Sequence, residues 1–219
     1  MDASELEARF FEHVPEQFCR RALRMIFDAR RRAWDHCAAE FPDSEAENVR
    51  PFYVRGKIES QLREVADLHA GDGLGHRVLK APGSGWNHTE VFAGPILLTA
   101  GAVQTPCGPI NKADFRMGLA ASNQGTLFDD ELAGPNLYVL LIHSGYRLGD
   151  PSDQRKFGHL PGSAYLAFPA SDLDTYLHGI NLFERYPEIV EDNVPQEWDK
   201  EAVVKFQHYA RKSSWPRAS

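Results

Sequence analysis

The chain has 219 residues, of which 42% are hydrophobic and 25% are charged, and its formal net charge is −7 at pH 7. This composition is typical of a globular protein with a sizeable core and excludes a disordered, collagen-like or coiled-coil chain. The acidic balance argues against nucleic-acid binding over the whole surface, but it leaves a local basic patch open. No apolar run approaches the roughly 20 residues of a membrane span, and no basic leader opens the chain, so we expect a soluble cytoplasmic protein without a membrane partner.

Helical periodicity runs through the first 70 residues. Two capping-box patterns, Ser4-x-x-Glu7 and Ser44-x-x-Glu47, mark the predicted starts of a first and a third helix. Between them, a long second helix is predicted to begin at Pro15, and its apolar residues recur at helical spacing up to Phe41. Cys19 and Cys37 lie on its apolar face, which predicts buried thiols and not a disulfide.

Short β-prone segments separated by glycine and proline follow from about residue 76. The predicted strands are His76–Ala81, Trp86–Gly94, Pro95–Gln104, Leu137–Ser144 and Ser163–Phe168. Two of them contain continuous apolar runs, Ile96–Thr99 and Tyr138–Ile142, which are typical of central strands covered on both faces. Helices are therefore expected on both sides of the sheet.

Three further helices are predicted from capping residues and helical spacing: Lys112–Gln124, a segment from Ser171 through Phe183, and Gln196–Lys212. The fold class predicted is α+β, with a helical N-terminal part and then a mixed sheet of about five strands flanked by helices, in the order ααα-βββ-α-ββ-αα. We expect a helical region at 1–70, an α/β sheet core at 71–170 and C-terminal helices at 171–219, all packed as one domain.

One fragment resembles the zinc-dependent nucleobase deaminases, which combine H-x-E with P-C-x-x-C. His88-Thr89-Glu90 and Pro106-Cys107 match these motifs, but the position of the second cysteine is occupied by Ile110. Tetrahedral zinc requires three protein ligands besides water, and His88 and Glu90 are predicted to share one face of a strand instead of opening a helix. The sequence therefore predicts no bound metal and no cofactor.

The order of elements over residues 50–145 resembles the core of the PD-(D/E)XK nucleases. That resemblance implies an acidic residue on the second strand, where Glu90 lies, and an E-x-K element on the third, which is apolar here. An active enzyme of this type would use Mg²⁺ or Mn²⁺ and a relocated set of catalytic residues. The candidates are Glu59, Glu90, His88 and His143, of which His143 ends the most apolar strand.

The separation of positive and negative charges along the chain is the strongest indication of function in the sequence. Residues 20–32 carry an excess of five positive charges, whereas residues 172–201 carry an excess of seven negative charges. These helices can pair within the chain or across a homo-oligomer, or the basic helix can bind a partner. The aromatic residues Phe52, Tyr53 and Trp86 are not interleaved with the arginines of the second helix, as base-stacking surfaces usually are.

The sequence therefore predicts a non-enzymatic binding or regulatory protein that engages a macromolecular partner through its charge-segregated helices. A protein partner is the first expectation, and nucleic acid bound through residues 20–32 is the alternative. The candidate binding residues are Arg20, Arg24, Arg31, Arg116 and Gln124. The architecture also resembles small bacterial accessory proteins of defence or toxin–antitoxin systems, and the alternative activity is that of a metal-dependent nuclease or other hydrolase.

Overall fold

The computed structural model describes residues 2–81, 85–105, 108–121, 123, 137–146 and 157–194. The predicted α+β fold is confirmed, because three helices precede a mixed sheet that further helices flank. The helices are α1 (Ala3–His13), α2 (Glu16–Glu40), α3 (Asp43–Asp67), α4 (Asp114–Ala121), α5 (Leu182–Arg185) and α6 (Pro187–Asn193). The strands are β1 (Leu74–Lys80), β2 (Asn87–Ala93), β3 (Ile96–Ala102), β4 (Leu137–Gly145), β5 (Pro161–Pro169) and β6 (Tyr176–Asn181).

The six strands lie in the sheet in the same order as in the chain. Every neighbouring pair is antiparallel except β3 and β4, which run parallel with Ile96 opposite Leu137. A parallel pair needs a crossover connection, and the segment that contains α4 provides it. The carboxyl ends of β3 and β4 therefore lie side by side at one edge of the sheet.

Apolar layers lie on both faces of the sheet, as the continuous apolar runs predicted. Leu141 of β4 belongs to the larger layer, which also contains buried residues of α1, α2 and α3. Its neighbour Ile142 belongs to the smaller layer together with Ala120 of α4. Because successive side chains of a strand point to opposite faces, β4 supplies both layers and is fully buried along most of its length.

The helix starts differ from the predicted capping boxes. Asp2 caps α1, because its Oδ1 accepts from the backbone N–H of Ser4 and of Glu5, while Glu5 Oε2 accepts from the backbone N–H of Asp2. α3 begins directly after Pro42 with no side-chain cap, and Ser44 lies inside its first turn. Asp2 is thus the N-cap of α1 and Pro42 that of α3, so both predicted capping boxes were wrong.

The predicted helix between Ser171 and Phe183 was also wrong, because this stretch forms a turn and then strand β6. The carboxylate of Asp172 accepts from the backbone N–H groups of Asp174 and Thr175, and Leu173 has a left-handed φ of 58°. This turn returns the chain along β5, with which β6 pairs antiparallel. The apolar spacing of this segment fits a helix or a strand. It forms a strand because its backbone can pair with the edge of β5.

The remaining predicted elements agree with the structure or lie outside it. α4 begins at Asp114, two residues later than predicted, whereas Gln124 and the predicted helix Gln196–Lys212 lie outside the described residues. Cys19 and Cys37 are buried as predicted, and burial raises the pKa of Cys19 to about 12. Within the described part of the chain, no helix combines the length and the apolar character that crossing a membrane requires.

Candidate functional site

A groove runs between the first half of α3 and the carboxyl ends of β3 and β4. It consists of two cavities of about 210 and 550 Å³, and Pro51, Ala102 and His143 line both. The larger volume falls within the range of small-molecule and cofactor sites, roughly 300 to 1,000 Å³. We therefore take this groove as the candidate site.

Next to the groove, the ladder between β2 and β3 is short. Their pairing covers only Glu90–Ala93 with Ile96–Thr99, so the next residues on each strand lack their partner on the other. On β2, the backbone N–H of Thr89 donates to Glu59 Oε2 over 2.6 Å. On β3, the carbonyl of Ala100 accepts from Arg116 Nη2 over 3.3 Å. Side chains of α3 and α4 thus replace the missing strand contacts and satisfy these backbone groups.

Four arginines from three helices line the two cavities: Arg30, Arg50, Arg55 and Arg116. We call the groove that they line the arginine groove. Among the described residues, two acidic side chains line it beside them, Glu47 and Glu59, so this part of the lining has an excess of two positive charges. This excess stands out on a chain of net charge −7. The groove is therefore a positive site on an acidic protein.

Arg30 and Arg50 are each held by an uncharged group. Arg30 donates from Nε to the carbonyl of Leu160 over 3.1 Å, and the absence of a side chain at Gly145 makes room for it, since a Cβ there would clash with Arg30 Nη2. Arg50 lies over the ring of Trp34, with Cζ 3.7 Å from the ring centroid. Such aromatic support fixes a guanidinium without neutralising it.

Three buried nitrogen atoms of the groove have no hydrogen-bond partner among the described residues: Arg50 Nε, Arg116 Nε and His143 Nδ1. Buried polar groups are ordinarily paired, because an unpaired one costs about 1 to 3 kcal/mol. Burial lowers the pKa of Arg116, and the nearby charge of Arg55 lowers it further. Arg55 and Arg116 line the same cavity, and the buried Nε of Arg116 has no partner among the described residues, so an anion would complete this site.

His143 is the only one of the four candidate catalytic residues that the structure places at the meeting point of both cavities. Its side chain is 2% exposed, and burial, together with the charge of Arg30, lowers the pKa of His143 to about 3. The imidazole is therefore neutral at physiological pH, so it can donate or accept a hydrogen bond but adds no charge to the groove.

The four candidate catalytic residues do not form one cluster. Glu59 and His143 line the groove, on the side of the sheet that α3 covers. His88 and Glu90 lie on the opposite face, where the ring of His88 stacks on Phe115 at 3.9 Å between centroids. The sheet separates the two pairs. Among the described residues, no group of three or more histidine, cysteine, aspartate or glutamate side chains could hold a metal ion.

Glu90 is held by two partners on its own face of the sheet. Its Oε2 accepts from Arg77 Nε over 2.8 Å and lies 2.7 Å from Arg77 Nη2, and its Oε1 lies 3.2 Å from His88 Nε2. The carboxylate is almost fully buried, whereas Arg77 is more than half exposed. These contacts satisfy a charge that β2 would otherwise bury alone.

Glu90→Gln should therefore lower the free energy of unfolding by about 1 to 3 kcal/mol, because the amide presents a donor where Arg77 also donates. Urea unfolding followed by circular dichroism measures this change. Glu64→Gln, on the exposed face of α3, is the matched control and should change stability by less than about 0.5 kcal/mol. Equal effects of the two substitutions would show that the buried pair does not contribute.

The predicted basic helix surface is partly neutralised within the chain. Arg20 forms an ion pair with Glu188 of α6 and lies over the ring of Tyr186. Arg31 contacts Asp28 on its own helix, while Arg24 is exposed. The oppositely charged helices thus meet at Arg20 and Glu188, which is the intrachain pairing that the sequence left open.

Of the predicted binding residues that the structure describes, Arg116 alone lines the groove, and Gln124 lies outside the described residues. Arg50 and Arg55 were not among the predicted binding residues, because the density of arginines is highest on the second helix. The local signal was on the third: Arg50 and Arg55 flank Phe52 and Tyr53, which is the interleaving of cationic and aromatic side chains typical of nucleic-acid surfaces.

Comparison of this chain with protein families, curated proteins and solved structures finds no match. The description of the site therefore rests on its own geometry and charge.

Proposed function

We propose that this protein binds nucleic acid without catalysing a reaction, and that the arginine groove holds the phosphate groups. The observation that carries this proposal is the convergence of Arg30, Arg50, Arg55 and Arg116 on one groove whose buried nitrogens are not all paired. Guanidinium groups match phosphate oxygens in geometry and charge, and they retain their charge at any physiological pH.

Aromatic neighbours favour nucleic acid over an acidic protein segment. Trp34 and Phe52 line the groove beside the arginines. A carboxylate-rich peptide would satisfy the guanidinium groups, but it offers no planar base to the exposed ring of Phe52. Nucleic acid supplies both phosphates and planar bases, so it uses all parts of the lining.

A local site also reconciles nucleic-acid binding with the acidic composition. Counterion release depends on the few cations that contact phosphates and not on the net charge of the protein. The net charge of −7 disfavours non-specific coating of the protein by nucleic acid.

The double variant Arg50→Gln/Arg55→Gln should bind a 20-nucleotide fluorescent strand at least tenfold more weakly than the original protein, because two phosphate contacts are lost. The slope of log affinity against log salt concentration should become less steep, by the amount that the loss of about two phosphate contacts predicts. Fluorescence anisotropy over a range of salt concentrations measures both quantities.

The matched control is Arg21→Gln/Arg24→Gln, which removes the same charge from the exposed face of α2. It should leave affinity and salt slope nearly unchanged, and thermal melting should show that both double variants are folded. If the control weakens binding as much as the groove variant, the basic helix and not the groove is the binding surface. If the original protein binds no strand at low salt, the proposal fails and an acidic protein partner becomes the better candidate.

The nuclease alternative keeps one supporting observation, because Glu59 and His143 both line the groove. The same strand, labelled at its end and incubated with Mg²⁺ or Mn²⁺, decides the matter on a denaturing gel. We expect full-length strand throughout. Metal-dependent shortening that Glu59→Gln abolishes would make the protein an enzyme and Glu59 its first catalytic candidate.

A further inference from the structure

Two exposed aromatic rings lie at the edge of the arginine groove. Phe52 is 60% exposed and Trp86 is 50% exposed, and their rings stack with centroids 5.9 Å apart and an angle of 16° between planes. Phe52 lines the smaller cavity, and Arg55 lies near Trp86, with Cζ 5.2 Å from the ring centroid. The stacked pair thus presents exposed aromatic surface directly beside the cationic site.

Exposed single aromatics are common, but a parallel pair that borders a cationic cleft is not explained by the fold. Neither ring contributes to the two buried apolar clusters. Phe52 and Arg55 are three residues apart on α3, so they lie on neighbouring positions of the same helix face. A cation and a stacking surface are therefore offered side by side, as the phosphate and the base of one nucleotide require.

We infer that the groove is specific for single-stranded nucleic acid, with an unpaired base stacked on the Phe52–Trp86 pair and the adjoining phosphate at Arg55 and Arg116. This inference rests on the proposed function. A base within a duplex has both faces covered by its neighbours, so only an unpaired or extruded base can stack on these rings. The phosphates alone would not distinguish the two forms, since both carry them.

The placement of Arg116 supports this assignment. It reaches the groove from α4, which packs on the other face of the sheet, while Arg55 reaches it from α3. The phosphate site is therefore recessed between two helices instead of lying on an open convex surface. A flexible single strand can enter such a recess with one phosphate, whereas a stiff duplex presents a convex backbone to it.

Binding of three 12-nucleotide probes by anisotropy tests the inference: a mixed-sequence single strand, its duplex, and a strand of equal length and charge with abasic sites throughout. The original protein should bind the single strand about tenfold more tightly than the abasic strand or the duplex, since one base–aromatic stack accounts for a difference of that order. Strands of DNA and RNA with the same sequence identify which sugar is preferred, and either preference is consistent with the inference.

Phe52→Ala should bind the intact strand about tenfold more weakly and the abasic strand as well as the original protein does. Phe92→Ala removes an aromatic of comparable exposure on β2, on the face of the sheet away from α3, and should change neither affinity. Thermal melting of both variants checks that they are folded.

The two proposals fail in different ways. Equal affinity of the original protein for the intact and abasic strands, or equal weakening of both by Phe52→Ala, would overturn the stacking inference while phosphate binding stands. Insensitivity of all probes to Arg50→Gln/Arg55→Gln would overturn the proposed function itself, and the inference with it.

Discussion

Asn123→Ala is expected to lower the free energy of unfolding by about 3 kcal/mol, because one side chain satisfies three backbone groups. Asn123 Nδ2 donates to the carbonyls of Tyr138 and Pro169, each over 2.9 Å, and its Oδ1 accepts from the backbone N–H of Tyr138 over 2.6 Å. Each buried group left unpaired costs about 1 to 3 kcal/mol, with part of the loss recovered by relaxation.

The reason for this dependence is the register of the sheet. The ladder between β4 and β5 begins with Leu140 opposite Ala167, so Tyr138 at the start of β4 has no partner on that side. The side chain of Asn123 lies at this position and makes hydrogen bonds to the backbone of Tyr138 in place of a β5 residue. An amide has both the donor and the acceptor that a strand would have offered.

Chemical denaturation of Asn123→Ala and Asn123→Asp measures the effect. The aspartate keeps the size of the side chain and the acceptor for Tyr138 N–H, but it places an oxygen against two carbonyl oxygens. It should therefore destabilise the protein about as much as alanine does. A loss below about 0.5 kcal/mol in both variants would show that these hydrogen bonds do not hold β4 in place.

Acid should destabilise the protein through His143, by about 3 kcal/mol between pH 7 and pH 4. The pKa of His143 is about 3 in the folded protein and about 6.5 in an unfolded chain. The unfolded state therefore binds the proton more tightly. Stability is full above pH 6.5 and falls by about 1.4 kcal/mol per pH unit as the pH drops toward 3.

His143→Gln removes this titration. Between pH 7 and pH 4, the variant should therefore lose about 3 kcal/mol less of its unfolding free energy than the original protein does. Urea unfolding at several pH values measures the difference between the two proteins. Nuclear magnetic resonance of the imidazole provides a direct check, because the ring of His143 should show no protonation between pH 7.5 and pH 5. A midpoint near 6.5 would show that this side chain is solvated and not buried.

His143 also connects stability with the groove. An anion bound beside the imidazole would stabilise its protonated form, so the pKa of His143 should rise when the groove is occupied. By linkage, a phosphate-bearing strand should then protect the protein against acid unfolding. The arginine contacts, which do not titrate in this range, would supply the remaining affinity.

The amino-acid sequence by itself determined most of the elements, because their signals are local. Helical spacing of apolar residues predicted α2, and continuous apolar runs predicted β3 and β4 as central strands between two layers. These features follow from the period of a helix or a strand and from the number of faces that are buried. Buried cysteines on the apolar face of α2 followed from the same pattern.

Tertiary structure decided what local pattern left ambiguous. The apolar spacing after Ser171 fits a helix as well as a strand, and only the free edge of β5 makes it β6. Similarly, the basic α2 could have met a partner, but the fold places Glu188 against Arg20 and removes part of that charge. Pairing across 168 positions of the chain cannot be read from a window of neighbouring residues.

The candidate site shows the same division. Its cations were visible in the sequence, but the end of the β2–β3 ladder at Glu90 and Thr99 was not, because the length of a ladder depends on its partner strand. The packing of α3 and α4 against the sheet brings Arg55 and Arg116 to one cavity. The sequence thus determined which side chains carry charge, and the tertiary structure decided where those charges meet.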